Sequence, residues 1–259
     1  MEYNIWQGFH SKDHKLQPER LAAAQRIIAK ENPDILVLIE ACYGCKNQTG
    51  SQMDYATLFK YPYGFQVGYI TFSGALKIGG NCVLSKHEFS ANPVSLSNKT
   101  AIRATIPLAE RVLHLDVVHP SARIPDQEKL EAIKPLLSVI NPPYLITGDF
   151  NALSPEDTYD KDALERELKD YSVHIDVEEW MKGRLIQGIL DLGLKDAFSL
   201  SKRQSTVPTK AEHNKNKTGS RIDYFFITPD VRVITAEVIK TPDTEIASDH
   251  YPIVGVFQI

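Results

Sequence analysis

Apolar residues follow two different spacings along this chain, and each spacing predicts a different kind of element. Between residues 18 and 31 they recur at helical spacing, and Asn32-Pro33 ends the predicted helix. The stretch "DILVLIE" at residues 34–40 is a continuous apolar run, which is typical of a strand buried on both faces. Two more helices are predicted at residues 127–140, bent at Pro135, and at residues 185–198, with Gly193 as a stop signal.

Strand-like runs outnumber the predicted helices. Residues 58–89 alternate aromatics, glycines and apolar residues and predict hairpin strands. Further strands are predicted at residues 3–6, 100–108, 111–119, 144–150, 221–230, 231–239 and 251–257. Because strands and helices do not alternate strictly, the pattern favours layered mixed sheets over a barrel. We find no long linker, repeat or low-complexity tract, so residues 1–259 are predicted to form one domain.

Composition and charge narrow the class of protein. The chain is 42% hydrophobic and 24% charged, as is ordinary for a globular protein, and no apolar run approaches a membrane span. A net charge of -4 argues against nonspecific coating of nucleic acid, although a local basic groove remains compatible with it. Three cysteines do not make a disulfide framework, which favours a reducing compartment and a cytoplasmic location. Residues 154–179 carry ten acids against three bases, which is typical of a solvated helical face.

Several predicted strands stop abruptly at polar side chains. These are Asn4, Glu40, His119, Asp149 with Asn151, Asp223, and Asp249 with His250. Taken singly, each has an ordinary structural explanation, such as a turn cap, a core histidine, or an ion pair between Asp223 and Arg221. Residues two apart on a strand share a face, so Asp149 and Asn151 can point to one place. Taken together, the polar ends predict a single site.

The residue types in this set indicate one kind of chemistry. Carboxylates and amides without cysteine suit a hard cation such as Mg²⁺ or Mn²⁺. Two histidines can exchange protons near neutral pH. A hard cation, an oriented water and a proton donor are the requirements for hydrolysing a phosphate ester.

The motifs, read in order, resemble the endonuclease/exonuclease/phosphatase superfamily. The matching stretches are "YNIW", "PDILVLIE", "GNCVLSK", "VVHPSAR", "LITGDFNA", "DLGLKDAF", "GSRIDYFFITPD" and "ASDHYPIV", and they span nearly the whole chain. GDxN, RIDYxF and SDHxP in succession are highly specific together, whereas each alone is weak. The resemblance implies an α/β fold, a four-layer α/β/β/α sandwich of two mixed, mainly antiparallel sheets, with the site where the strand ends of both sheets converge.

The same resemblance implies roles for the individual residues. Glu40 is the implied principal metal ligand, and Asp249 helps to hold the ion or its waters. Asn4 and Asn151 orient the phosphate or the metal shell. His250, paired with Asp223, activates water or stabilises the transition state.

For the remaining residues, the resemblance implies that Asp149 positions or deprotonates the attacking water. His119 then faces the scissile phosphate from the other side, where it is suited to protonate the departing oxygen. One position departs from the abasic-site endonucleases, which carry an acid two residues after the first Asn. Here that residue is Trp6, which weakens the abasic-site interpretation.

Three weaker signals remain hypotheses. His10, His14, Cys42 and Cys45 have the residue types of a tetrahedral zinc site, but not the usual finger order. The basic segment 202–221 is either solvated surface or, like Arg123, a contact for substrate phosphates. Six aromatics suit either base stacking or strand core, namely Phe59, Tyr61, Tyr63, Phe65, Tyr69 and Phe72.

The predicted function is that of an enzyme, a Mg²⁺- or Mn²⁺-dependent phosphodiesterase or phosphatase. Nucleic acid is the expected substrate, cleaved in endo- or exonuclease fashion. The alternative within the fold is a lipid or inositol phosphate hydrolase, which an exposed apolar hairpin would favour. A non-catalytic binding module is disfavoured because the polar set is complete. The sequence indicates no protein partner.

Overall fold

The computed structural model describes residues 1–11, 13, 15–42, 52–70, 76–97, 99–170, 176–211 and 218–259. Their strands form two sheets of six strands each. Helices cover the outer face of both sheets. Within this described part, no helix is both long enough and apolar enough to cross a membrane.

The first sheet holds the N-terminal and C-terminal strands of the chain. Its spatial order is β11-β12-β1-β2-β4-β3. The strands are β1 (Glu2–Asn4), β2 (Ile35–Ile39), β3 (Tyr63–Ile70), β4 (Leu76–Ser85), β11 (Arg232–Val238) and β12 (Ile253–Gln258). Only β1 and β2 pair in parallel, and the other neighbours are antiparallel.

The second sheet holds the strands from the middle of the chain, in the order β5-β6-β7-β8-β10-β9. They are β5 (Ser90–Leu96), β6 (Lys99–Pro107), β7 (Val112–Val118), β8 (Tyr144–Asp149), β9 (Lys195–Asp196) and β10 (Asp223–Ile227). Only β7 and β8 pair in parallel. Both sheets are therefore mixed and mainly antiparallel, as the resemblance implied.

Seven α-helices are found in the described residues, and several of them cover the outer faces of the two sheets. They are α1 (Pro18–Glu31), α2 (Tyr55–Phe59), α3 (Asp126–Leu137), α4 (Lys161–Asp170), α5 (Val177–Met181), α6 (Arg184–Asp191) and α7 (Thr244–Ala247). Helix α1 buries Ala24, Ile27 and Ile28 against the first sheet, where they share a core with Tyr3 and Leu38. Helices α3 and α6 form an equivalent core with the outer face of the second sheet.

The side chains of β10 point alternately to its two faces, which shows why the sheets lie between the helix layers. Phe225 and Ile227 belong to the core between the two sheets. Tyr224 and Phe226 point the other way, into the core beneath α3 and α6. The side chains of one strand thus fill two cores, and the four-layer α/β/β/α arrangement is confirmed.

Some predicted boundaries were wrong. The helix predicted to continue to residue 198 ends at Asp191, and Gly193 adopts φ +84° immediately after it. Lys195–Asp196 then pairs with β10 as an edge strand, because residues beyond the glycine gain more from the sheet's hydrogen bonds than from extending the helix. The region predicted as hairpins begins with α2, which Asp54 caps by accepting hydrogen bonds from Ala56 and Thr57.

Candidate active site

Strand register brings the predicted polar ends to one edge of the sandwich. In the first sheet Asn4 pairs with Ile39, so the two parallel strands β1 and β2 end side by side, with Glu40 following β2. In the second sheet Asp149 at the end of β8 lies opposite Asp223 at the start of the antiparallel strand β10. His119 follows the parallel neighbour β7 at the same level. Residues distant in sequence therefore meet because their strands stop at one edge.

The glycine of the "GDFN" stretch is required by close packing of two strands. Gly148 has φ +140°, a region that side chains rarely adopt. A Cβ at this position would lie 1.9 Å from the carbonyl oxygen of Val118. Only glycine therefore allows β8 to carry Asp149 next to the end of β7.

Asp149 occupies the centre of the site. Its Oδ2 accepts a hydrogen bond from Asn4 Nδ2 at 3.1 Å, and its Oδ1 accepts one from the backbone N–H of Asn151 at 2.8 Å. The Nε2 atoms of His119 and His250 lie 3.5 and 3.8 Å from the same Oδ2. Burial, reinforced by the nearby Asp223, raises the pKa of Asp149 to about 7. The carboxyl group is thus able to hold or release a proton near neutral pH.

His250 and Asp223 form a buried pair beside Asp149. The Nδ1 of His250 donates to Asp223 Oδ2 at 2.9 Å. Burial alone would lower the pKa of His250, but Asp223, together with Asp149 and Asp249, raises it well above the usual value. His250 is therefore an imidazolium whose Nε2–H faces Asp149. The ordinary alternative for Asp223, an ion pair with Arg221, is wrong, because Arg221 pairs with Asp157 and Asp196.

His119 differs from His250 in its surroundings. Its Nδ1 lies 2.7 Å from the hydroxyl of Tyr69, whose ring contacts the imidazole edge to face. Burial lowers the pKa of His119 well below its usual value, and the charges of Lys99 and His250 lower it further. The pKa values of the two histidines that flank Asp149 are thus shifted in opposite directions, which is a common arrangement where one group gives and another takes a proton.

Asn151 is held in place by contacts that the sequence pattern did not reveal. Its backbone has φ +50°, in the left-handed region, and its carbonyl oxygen accepts from Lys129 Nζ at 2.6 Å and Trp180 Nε1 at 3.2 Å. Its side-chain Nδ2 donates to the carbonyl oxygen of Pro120 at 3.1 Å. Lys129 is itself buried and bonded to Asp126 at 2.9 Å. Lys129 belongs to no sequence motif, so its contact with Asn151 could be identified only from the structure.

Glu40 and Asp249 line the same cleft. Glu40 has φ +57°, and its Oε2 accepts from the backbone N–H of Gln7 at 2.8 Å. Asp249 accepts from Ser248 Oγ at 3.2 Å. Two carboxylates that line one cleft provide the hard oxygen donors that Mg²⁺ or Mn²⁺ requires, so these residues fit the implied ion.

A second set of potential ligands is also present in the described part of the chain. Atoms of Asp149, Asp223 and His250 lie within 4.8 Å of one another. However, His250 already donates to Asp223, and an ion between them would have to displace that proton. Glu40 and Asp249 therefore fit a hard cation better than this second set does.

Trp6 has a structural role where the abasic-site endonucleases carry an acid. The guanidinium of Arg20 stacks on the Trp6 ring at 4.5 Å. Arg20 also donates to the carbonyl oxygens of Ile5 and Trp6, at 3.1 and 2.9 Å, and to that of Ala247 at 3.0 Å. This arginine connects the loop after β1 to α7, which ends two residues before Asp249. Trp6 thus helps to fix the loops without offering a metal ligand.

The site opens into a cleft of about 460 Å³. Seven of the nine predicted site residues line it, namely Glu40, His119, Arg123, Asp149, Asn151, Asp249 and His250. The other two, Asn4 and Asp223, lie beneath and hydrogen-bond to lining residues. Lys99 and Trp180, which sequence reasoning missed, also line the cleft.

The structure bears on the zinc hypothesis and on the basic segment 202–221 in different ways. Cys42 is disulfide-bonded and thus offers no thiolate for zinc, while His14 and Cys45 lie outside the described residues. In the basic segment, Lys215 and Lys217 also lie outside them, and Arg203 and Arg221 are held by buried ion pairs.

Of the six aromatics, Tyr69 borders the site through its bond to His119. Phe65 packs against the core between the sheets, and Phe59 packs against the core beneath α1. Tyr61 donates to the Pro33 carbonyl oxygen at 2.7 Å. Tyr63 is exposed, and Phe72 lies outside the described residues.

Two mixed six-stranded sheets with these polar groups at their converging ends define the α/β sandwich of phosphoester hydrolases. Residues 1–250 match the model of the Endonuclease/Exonuclease/phosphatase family. The chain therefore belongs to this family of hydrolases, which act on phosphoester bonds with the help of divalent metal ions. A search of curated proteins finds no significant match to the sequence.

Solved structures share the fold. An AP endonuclease from Archaeoglobus fulgidus is 19% identical, with a TM-score of 0.68 over 100% of this chain and 98% of that one. An endonuclease/exonuclease/phosphatase from Beutenbergia cavernae has the same identity and TM-score, over 100% of this chain and 70% of its own. TDP2 from D. rerio, complexed with a single-strand DNA product, is 16% identical with a TM-score of 0.65, over 100% and 97% of the two chains. At these identities the likeness shows the fold.

Proposed function

We propose that the protein is a Mg²⁺- or Mn²⁺-dependent phosphodiesterase that cleaves nucleic acid as an endo- or exonuclease. The observation that carries this proposal is the arrangement around Asp149, where Asn4, His119 and His250 all approach one carboxylate oxygen. A carboxylate between a charged and a neutral imidazole is suited to orient a water molecule and to exchange its proton.

Each residue of the site has a definable task in such a hydrolysis. Asn4 fixes the orientation of Asp149, and Asp149 accepts a hydrogen bond from the attacking water. The imidazolium of His250, held by Asp223, donates to an oxygen that gains negative charge as the phosphate reacts. Asn151, fixed by Lys129 and Trp180, offers its side chain to the substrate from the opposite wall.

Glu40 and Asp249 are the residues that would hold the ion. When bound, the ion neutralises negative charge on the phosphate oxygens. Both carboxylates are held in place for this purpose, Glu40 by the backbone N–H of Gln7 and Asp249 by the hydroxyl of Ser248.

The walls of the cleft favour a nucleic acid over other phosphodiesters. Lys99 and the exposed Arg123 supply positive charge for flanking phosphates, and Trp180 offers an aromatic surface. Two of the similar structures are an AP endonuclease and TDP2 bound to single-strand DNA, which supports the same class.

A substrate panel tests the proposal. The protein is stripped of metal with EDTA, supplied with Mg²⁺ or Mn²⁺, and offered abasic duplex, single-stranded DNA, RNA, phosphotyrosyl-DNA, sphingomyelin and inositol phosphates. We expect metal-dependent cleavage of at least one nucleic acid, and closed circular single-stranded DNA then separates endonuclease from exonuclease action. His250→Gln should abolish the cleavage, whereas Glu237→Gln, a change at an exposed strand position, should not.

Two results would contradict the proposal. Cleavage of sphingomyelin or inositol phosphate with all nucleic acids intact would favour the lipid or inositol phosphate alternative. A protein that binds nucleic acid but cleaves nothing in the panel would be a binding module.

A further inference from the structure

A buried chain of hydrogen bonds runs behind His119, away from the cleft. Asn81 Nδ2 donates to the carbonyl oxygen of Thr100 at 2.9 Å. The hydroxyl of Tyr69 donates to Asn81 Oδ1 at 2.9 Å and lies 2.7 Å from His119 Nδ1. All four residues are at most 4% exposed, so water does not compete for these bonds.

The donor and the acceptor of each hydrogen bond in this series can be assigned by starting from Thr100. The Thr100 carbonyl oxygen can only accept, so the amide atom of Asn81 that faces it must be the nitrogen. The Asn81 oxygen therefore faces Tyr69, and it too can only accept. Tyr69 has a single hydroxyl proton, which this bond uses. In the contact with His119 the tyrosine oxygen must then accept, and Nδ1 must carry a proton.

A protonated Nδ1 determines the state of the other ring nitrogen. In a neutral imidazole only one nitrogen carries hydrogen, so Nε2 has a free lone pair. This Nε2 lies on the cleft side, 3.5 Å from Asp149 Oδ2, which is too long for a hydrogen bond. A water molecule in the cleft beside these two atoms could donate a hydrogen bond to either of them.

The neutral state of the ring has independent support. The side chain of His119 is almost fully buried, and Lys99 Nζ lies 4.1 Å from the centre of the Tyr69 ring that contacts it. Burial and the nearby charge of Lys99 both disfavour a positive charge on the imidazole.

We propose that Asn81 and Tyr69 are positioning residues that hold His119 in the Nδ1–H tautomer, so that Nε2 enters the reaction as a proton acceptor. This inference deepens the proposed function and rests on it for the chemical step. In that step a water O–H bond breaks, the proton passes to Nε2, and the oxygen bonds to phosphorus. The bond from phosphorus to the departing oxygen breaks, and its electron pair leaves with that oxygen. The expectation that His119 protonates the departing oxygen is thereby reversed.

The tautomer is measured directly by NMR on protein labelled with ¹⁵N-histidine. His119 is assigned among the eight histidines by the loss of its signals in His119→Gln. The wild type should show a pyrrole-type Nδ1 and an imine-type Nε2 for His119. In Asn81→Leu the proton of Tyr69 is released and can pass to His119 Nδ1, so the Nε2–H tautomer should appear. Thr100→Ala is the matched control, because it keeps the carbonyl and should leave the tautomer unchanged.

A merely structural role would not move the tautomer. A wild-type His119 with hydrogen on Nε2, or an Asn81→Leu protein that keeps the wild-type pattern, would overturn the inference. If Asn81→Leu does not fold, Tyr69→Phe provides the second variant, and the inference requires that it lose the single Nδ1–H form.

Kinetics provide a readout that separates this inference from the proposed function. Acting on the water, His119 should matter equally for good and poor leaving groups, so His119→Ala should slow p-nitrophenyl and alkyl diesters by the same factor, about 10²–10⁴. A loss confined to alkyl leaving groups would restore the acid role and overturn the inference. An Nδ1–H tautomer in a protein that cleaves no phosphoester would leave the tautomer assignment standing and refute the function, together with the chemical step that rests on it.

Discussion

Glu2 is buried near Asp149, Asp223 and His250 and should make folding stability depend on pH. Its side chain is fully buried, and neither carboxylate oxygen has a hydrogen-bond partner among the residues that the structure describes. Burial raises the pKa of Glu2 well above its ordinary 4.5, and the negative charge of Asp223 raises it further. Between pH 4.5 and that raised pKa, the folded protein therefore keeps a proton that the unfolded chain has released.

The sign and size of the effect follow from proton linkage. A raised carboxyl pKa contributes stability that is fully present below the unfolded pKa and is lost as pH rises toward the folded pKa. Each pH unit in this window costs roughly 1.4 kcal/mol, so rising from pH 5 to pH 7 should cost roughly 2.7 kcal/mol as an upper limit. Glu2→Gln cannot titrate and should escape this loss.

Thermal unfolding of metal-free protein at pH 5 and pH 7 measures the difference. Glu2→Gln should melt close to the wild type at pH 5 and several degrees above it at pH 7, since 1 kcal/mol shifts the melting temperature by about 2–4 °C at this size. Glu237→Gln, an exposed change in the same sheet, should follow the wild type at both values. A Glu2→Gln protein whose melting temperature falls with pH as steeply as the wild type would refute the reasoning.

Three further predictions concern the site. Glu40→Gln should lower activity and raise the Mn²⁺ concentration needed for half-maximal rate; a variant as active as the parent at low metal would exclude Glu40 as a ligand. Asp223→Ala and His250→Ala should give kcat losses that are strongly non-additive in the double variant, and additive losses would mean that the pair acts separately. Lys129→Met should lower kcat about 10-fold or more with little change in KM, because Asn151 loses its charged donor; a change in KM alone would assign Lys129 to binding.

The sequence showed which polar residues end the strands more reliably than it showed the bounds of the elements around them. Several apolar runs end at a polar residue, so the sequence alone indicated polar side chains that lose contact with water. These residues are Asn4, Glu40, Asp149 and Asp223. The family resemblance implied that the strand ends converge, and the strand register places Asn4 beside Ile39 and Asp149 opposite Asp223.

Other features depended on contacts that no local pattern encodes. Lys129 looks like an ordinary surface lysine of α3, and only its 2.6 Å bond to the Asn151 carbonyl reveals its place. Tyr69 was one of six aromatic residues in the predicted hairpins, and most of the others pack in cores or lie at the surface. The edge strand Lys195–Asp196 was predicted as helix, because its pairing with β10 lies far away in sequence. The single-domain expectation for residues 1–259 stays a prediction.

The central claim is that Asp149 and its neighbours hydrolyse a phosphodiester with a divalent ion. The most direct measurement is the rate of bis(p-nitrophenyl) phosphate hydrolysis by EDTA-treated protein, before and after addition of Mn²⁺, for the wild type and Asp149→Asn. We expect no rate without metal, a clear rate after its addition, and a loss of about 10²-fold or more in Asp149→Asn at unchanged melting temperature. Equal rates for the two proteins, or a wild-type rate that EDTA leaves intact, would contradict the account.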